Sequence, residues 1–157
     1  MTLLMGQAMH VDEITGQILD VAIAIHRELG PGLLESVYEA VLAHELRERG
    51  LGVRRQQAIR FEYHGILFDQ AFRADLIVED SVIVELKSVT QLERVFARQL
   101  LTYLRLTDLP VGLILNFGCL TMKEGIKRVV NNAPASLSSP IRANTNQRLS
   151  QRAGSQP

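Results

Sequence analysis

Residues 73 to 89 read RADLIVEDSVIVELKSV, two strand-like apolar runs that meet at a short polar turn, with Asp75, Glu85 and Lys87 set inside them. Side chains on a strand alternate between faces, so Val82, Val84 and Leu86 share one face while Ile83, Glu85 and Lys87 share the other. Asp75 is out of phase with Ala74, Leu76 and Val78 and so leaves their apolar face. If the runs pair through a turn at Glu79-Asp80, Asp75 and Glu85 come close together, and two unpaired carboxylates at that range repel. A divalent cation resolves the repulsion. Hard oxygen donors at the lip of a sheet suit Mg2+, with Mn2+ as a substitute, and leave coordination places for water and phosphate. Lys87 then stands beside the cation and its water. The competing reading is a solvated strand face carrying a Glu-Lys pair, because a short E-x-K is a weak motif.

Other polar residues could join this group. Gln99 and Tyr103 lie four apart on an expected helix, hence on one face, in line with Leu92 and Val95. Facing the sheet, they need polar partners there; singly, they read as a satisfied core amide and a half-buried aromatic. Glu35, Tyr38 and Glu39 open another expected helix, where Glu35 alone reads as an acid stabilised by a helix N-terminus. Arg94, Arg98 and Arg105 fall in a narrow arc and could follow a phosphate backbone or be a solvated face. The four histidines are scattered without ligand spacing, and Cys119 has no evident base beside it.

The elements that must position these residues follow from apolar spacing. Ile14, Ile18, Val21, Ile25 and Leu29 step by four, three, four and four, which predicts a helix over Val11 to Leu29 that stops at Gly30-Pro31. A second helix is expected from about Leu33 to Arg49. Alternation through Val53, Ile59, Phe61 and Tyr63, a His64-Gly65 turn, then Ile66 and Phe68 predicts antiparallel strands. FRADLIV and SVIVELKSV are expected as two further strands, followed by a third helix from Gln91 to Leu106. PVGLILNFG reads as a strand buried on both faces, and TMKEGIKRVVNN as a last short helix. The order implies an α/β fold, a mixed sheet covered by helices on both sides.

The 157 residues, 46% of them hydrophobic, suffice for one ordinary core. Residues 1–132 are expected to form one domain. From residue 133 the composition turns polar without periodicity, so 133–157 is expected to be a disordered tail. All 17 acidic residues precede residue 133, as do 14 of the 17 basic ones, leaving the body at net minus three. That balance argues against strong non-specific affinity for duplex DNA. The single cysteine fits a reducing compartment, and neither a basic leader nor a run of membrane-spanning length is seen. A cytoplasmic protein with no membrane partner is the expectation.

GLLESVYEAVLAHELRERGL, with Gly32, Glu35 and Tyr38, resembles the pattern for which the GxxExxY proteins are named. RAD, VELK and QLLTY in that order resemble the core signature of the PD-(D/E)XK nuclease superfamily in its RecB-like form, over roughly residues 11 to 132. The resemblance implies a restriction-endonuclease-like fold, a mixed central sheet flanked by helices on both faces. It implies metal-dependent hydrolysis of phosphodiester bonds in nucleic acid, most often DNA. Asp75 and Glu85 would be metal ligands, with the carbonyl of Leu86 as a candidate third, and Lys87 would be the signature lysine. Gln99 and Tyr103 match the supporting helix motif, and Glu35 matches the helix-borne acid, a role for which Glu39 competes. Ala74 stands where the signature has proline. The rival reading is a catalytically silent module of the same fold in a repair or defence complex. On either reading the tail arginines, a homo-oligomer or a partner protein would help hold nucleic acid.

Overall fold

The four-three spacing of apolar residues places α1 at Val11–Leu29 in the computed structural model, which describes residues 8–132. Its buried stripe is Ile14, Ile18, Val21, Ala22 and Ile25. The helix ends where Gly30, at φ +72°, donates its N–H to the His26 carbonyl at 2.8 Å, a backbone conformation that glycine adopts without a Cβ penalty. After the Gly30-Pro31-Gly32 loop, α2 spans Glu35–Glu48 and buries Tyr38, Leu42, Ala43 and Leu46. Tyr38 fixes that loop. Its hydroxyl donates to the Gly30 carbonyl at 2.6 Å and accepts from the Leu33 N–H at 3.1 Å, while its ring stacks on Phe117.

Five strands follow: β1 (Val53–Tyr63), β2 (Ile66–Val78), β3 (Val82–Lys87), β4 (Val111–Asn116) and β5 (Ile126–Val130), with α3 (Arg94–Thr107) between β3 and β4. They form one sheet in the order β1-β2-β3-β4-β5. β3 and β4 are parallel, joined across α3, and the remaining neighbours are antiparallel. Both hairpin turns sit where the sequence puts them. His64-Gly65 joins β1 to β2 as a two-residue turn with positive φ at both residues, the twist such hairpins require, while Glu79-Asp80-Ser81 joins β2 to β3 as a three-residue turn with positive φ at Glu79 and Asp80.

The sheet is covered on both faces. Leu76, Val78, Val82, Val84, Leu86, Leu113 and Leu115 pack against α1 and α2. Ile59, Ala74, Ile77, Ile83 and Ile114 pack against Leu100 and Leu104 of α3. This is the restriction-endonuclease-like α/β arrangement, a mixed sheet between helices.

Three expectations are corrected. The two short strands expected between Ile66 and Val78 are one continuous strand. Residues 126 to 130, expected in a helix, form β5 on the edge of β4. Ile126, Val129 and Val130 satisfy either periodicity over so short a run, and an otherwise unpaired β4 edge decides for the strand. Ala74 does not share a face with Leu76: they belong to different core clusters, on either side of the point where the β1–β2 ladder skips the Gln56–Asp75 pair. The expected tail, 133–157, lies outside the described residues. No helix among the described residues is long and apolar enough to cross a membrane.

Candidate active site

The ladder between β2 and β3 runs through three pairs, Val78 with Val82, Ile77 with Ile83 and Leu76 with Val84. The next pair would be Asp75 with Glu85, and there side chains replace the backbone. Glu85 Oε1 accepts the Asp75 N–H at 3.2 Å, and Asp75 Oδ2 accepts the Leu86 N–H at 2.9 Å. Each carboxylate satisfies an amide on the opposite strand where the strands part. Charge sits in this core because the polar groups there are the sheet's own unpaired backbone amides.

The closeness has an electrostatic cost. Burial, and next the charge of Asp75, push the Glu85 carboxyl up from its ordinary 4.5 to about 8. Hydrogen bonding from the Asp75 backbone and the charge of Lys87 offset only part of this. Without a cation, Glu85 holds a proton at neutral pH. Two adjoining hard-oxygen donors, one of them pushed toward its neutral form by burial and by the other's charge, fit a divalent metal.

On the α2 side, Asp75 lines an open cleft of about 710 Å3 with Leu33, Glu35, Glu39, Gln56, Leu86 and Ser88. α2 begins without a side-chain cap on its first amides. Instead Glu35 Oε1 accepts the Ser88 N–H at 3.2 Å, and the Ser88 hydroxyl donates to the Leu33 carbonyl at 3.0 Å, fastening the start of α2 to the end of β3. Glu39, one turn on, is buried. Its carboxylate accepts from Arg55 Nε at 3.3 Å and Gln56 Nε2 at 2.8 Å. Glu35 is thus the exposed acid of the cleft rim, and Glu39 an acid already engaged. Among the described residues no three His, Cys, Asp or Glu side chains form a ready metal-holding group. Glu35 therefore stays apart from the Asp75–Glu85 pair.

On the α3 side, Lys87 places Nζ 4.4 Å from the centroid of the Phe96 ring. Tyr103 stacks face to face on Phe72, with ring centroids 3.8 Å apart. Burial first, then the charges of Glu85 and Asp75, raise its phenol above the ordinary tyrosine value, so Tyr103 keeps its proton at neutral pH and can donate it in a hydrogen bond. Gln99, expected to face the sheet, is exposed at the helix edge. The buried face of α3 is Leu100, Leu104 and Thr107. Arg94, Arg98 and Arg105 are exposed. At ~100° per residue their arc lies well round the helix from the edge that carries Gln99 and Tyr103.

The structure therefore assembles Asp75, Glu85, Leu86 and Tyr103 near the parting of β2 and β3, with Lys87 next along β3. It puts Glu35 across the cleft and the three arginines elsewhere. It also corrects the reading that groups Tyr38 with the site acids, since that phenol is consumed in the α1–α2 loop. Gln56 and Ser88 give no motif in the sequence; only the fold brings them to the cleft.

A family model described as the PD-(D/E)XK nuclease superfamily matches residues 12–129. No curated protein and no solved structure matches the chain significantly.

Proposed function

The chain belongs to the PD-(D/E)XK nuclease superfamily, and from that premise we propose a metal-dependent nuclease that hydrolyses phosphodiester bonds of DNA, with Mg2+ as the working cation and Mn2+ as a substitute. Within the superfamily, Gly32, Glu35 and Tyr38 match the GxxExxY pattern, which supports reading the chain as one of those proteins. The observation that carries the reading is the parting of β2 and β3, where the Asp75 and Glu85 carboxylates each accept an amide of the opposite strand and stand next to Lys87 on the strand of Glu85.

On this reading Asp75 and Glu85 would hold the metal, with the Leu86 carbonyl as a further donor, and Glu35 would add a carboxylate from across the cleft. Bound there, the cation would polarise a phosphodiester oxygen and make a water more acidic. The remaining work falls to side chains. The Lys87 ammonium orients the attacking water and offsets negative charge gathering on the phosphoryl oxygens. Its contact with Phe96 limits where the amine can point. Tyr103, held flat against Phe72, donates to a phosphate oxygen, and exposed Gln99 meets the backbone of the nucleic acid at the cleft edge. Arg94, Arg98 and Arg105 belong to a separate surface that would bear on affinity rather than on the reaction.

The test is a cleavage gel with labelled single- and double-stranded DNA and RNA, comparing wild type with Asp75→Asn in Mg2+, Mn2+ or EDTA. Cleavage of DNA that needs metal and is lost in Asp75→Asn is the expected result. Cleavage of RNA alone would replace the substrate. Metal-independent cleavage, or none alongside absent metal binding, would defeat the reading.

A further inference from the structure

We infer that Gln56 is a positioning residue for Asp75, a role that rests on the metal-site reading above. β1 and β2 pair in continuous register on both sides of Gln56 and Asp75: Arg55 pairs with Leu76 and Gln57 with Ala74. Between them neither Gln56 nor Asp75 takes part in the ladder. Gln56 instead adopts φ +49°, a left-handed conformation that is costly for a non-glycine residue and persists only where the surroundings compensate.

The compensation is visible in its amide. Gln56 Nε2 donates to Glu39 Oε2 at 2.8 Å and to Asp75 Oδ1 at 3.3 Å. The amide thus bridges two carboxylates from different elements, α2 and β2. Glu39 can hold the far end because it is buried and itself braced by Arg55 Nε at 3.3 Å. Asp75 consequently has each carboxylate oxygen bonded once, Oδ2 by the Leu86 N–H and Oδ1 by Gln56. The two bonds come from different sides and set the plane of the carboxylate, leaving further lone pairs on both oxygens for a cation.

A regular strand at this point could not do this. Alternation would send Gln56 and Asp75 through the ladder as an ordinary cross-strand pair, and the local irregularity is what also moves Ala74 and Leu76 to opposite faces. The left-handed residue therefore turns a strand side chain into a brace between the α2 acid and the β2 acid. Partners that orient metal ligands in this way are typically worth about 10- to 100-fold in metal affinity.

Two variants test the role. Gln56→Gly accepts the left-handed backbone and deletes the brace. Gln56→Asn also tolerates that backbone and keeps an amide, but is one methylene too short to span both acids. Calorimetric titration with Mn2+, beside urea denaturation in EDTA, is expected to show affinity reduced about 10-fold or more in both variants, with folding retained. Asp75→Asn, run in parallel, is expected to lose Mn2+ binding. Wild-type Mn2+ affinity in folded Gln56→Gly and Gln56→Asn, with Asp75→Asn defective, would overturn the role of Gln56 while sparing the metal site. Absence of Mn2+ binding by wild type, or its survival in Asp75→Asn, would overturn both.

Discussion

Replacing Glu85 by glutamine should stabilise the metal-free protein above neutral pH, although it removes a residue assigned to the site. Glu85 goes from an ordinary 4.5 when unfolded to about 8 when folded, raised by burial and then by Asp75. An acid raised in this way keeps its proton folded after the unfolded chain has lost it. Between pH 4.5 and about 8 the folded state therefore carries one extra proton at this group, and stability falls as pH rises, by about 1.4 kcal/mol per pH unit. Over the whole interval the loss approaches about 5 kcal/mol, a large fraction of an ordinary domain's stability. Below 4.5 and above about 8 this contribution is flat. Glutamine offers the same acceptor to the Asp75 N–H without a charge to desolvate, so its curve should lack this slope. Urea denaturation of both proteins in EDTA, at half-unit steps from pH 5 to 9, gives the difference directly. The two curves should diverge steadily up to about pH 8, the variant becoming the more stable. Parallel curves would refute the reasoning, because they would mean that Glu85 ionises alike in the folded and unfolded states.

Mg2+ or Mn2+ at 100 times its dissociation constant should stabilise wild type by about 2.7 kcal/mol in thermal melts, reversibly with EDTA, and leave Asp75→Asn unmoved. Tyr38→Phe removes the hydroxyl that serves both Gly30 and Leu33, and chemical denaturation should show a loss of about 1–3 kcal/mol. Buried Asn116 accepts from the Val89 and Gly118 amides and donates to the Val89 carbonyl. Asn116→Ala strands these groups, so its denaturation midpoint should fall by the equivalent of at least about 2 kcal/mol.

How far the sequence revealed the fold depended on whether the deciding force was local. The four-three spacing from Ile14 to Leu29 and the polar pairs His64-Gly65 and Glu79-Asp80 carry their own instructions, and α1 and both hairpin turns are where those place them. β4 was legible as an unbroken apolar run, and it is buried along its whole length. β5 was not legible, since its identity comes from β4 needing a partner rather than from its own five residues. That Asp75 comes near Glu85 was legible from a turn at Glu79-Asp80, but their direct opposition comes from Ser81 joining that turn, since a two-residue turn would set Asp75 against Val84. The irregularity beside it could not follow, because counting assumes a regular pleat. Gln56 sits in the polar stretch RRQQ with no glycine to signal a left-handed backbone, so its contact with Glu39 and Asp75 exists only in three dimensions. The arginine arc on α3 was correctly grouped, but its distance from Tyr103 required knowing which face of α3 meets the sheet.

The account depends most on Lys87 acting at a metal-loaded Asp75–Glu85 pair. The most direct measurement is single-turnover DNA cleavage by wild type and Lys87→Ala at saturating Mg2+, with Mn2+ binding by both proteins measured alongside. The account predicts metal-dependent cleavage by wild type and a rate lower by about 100- to 1,000-fold in the variant, comparable to losing one charge-stabilising donor, while Mn2+ still binds. A variant that binds Mn2+ and cleaves at the wild-type rate would contradict it.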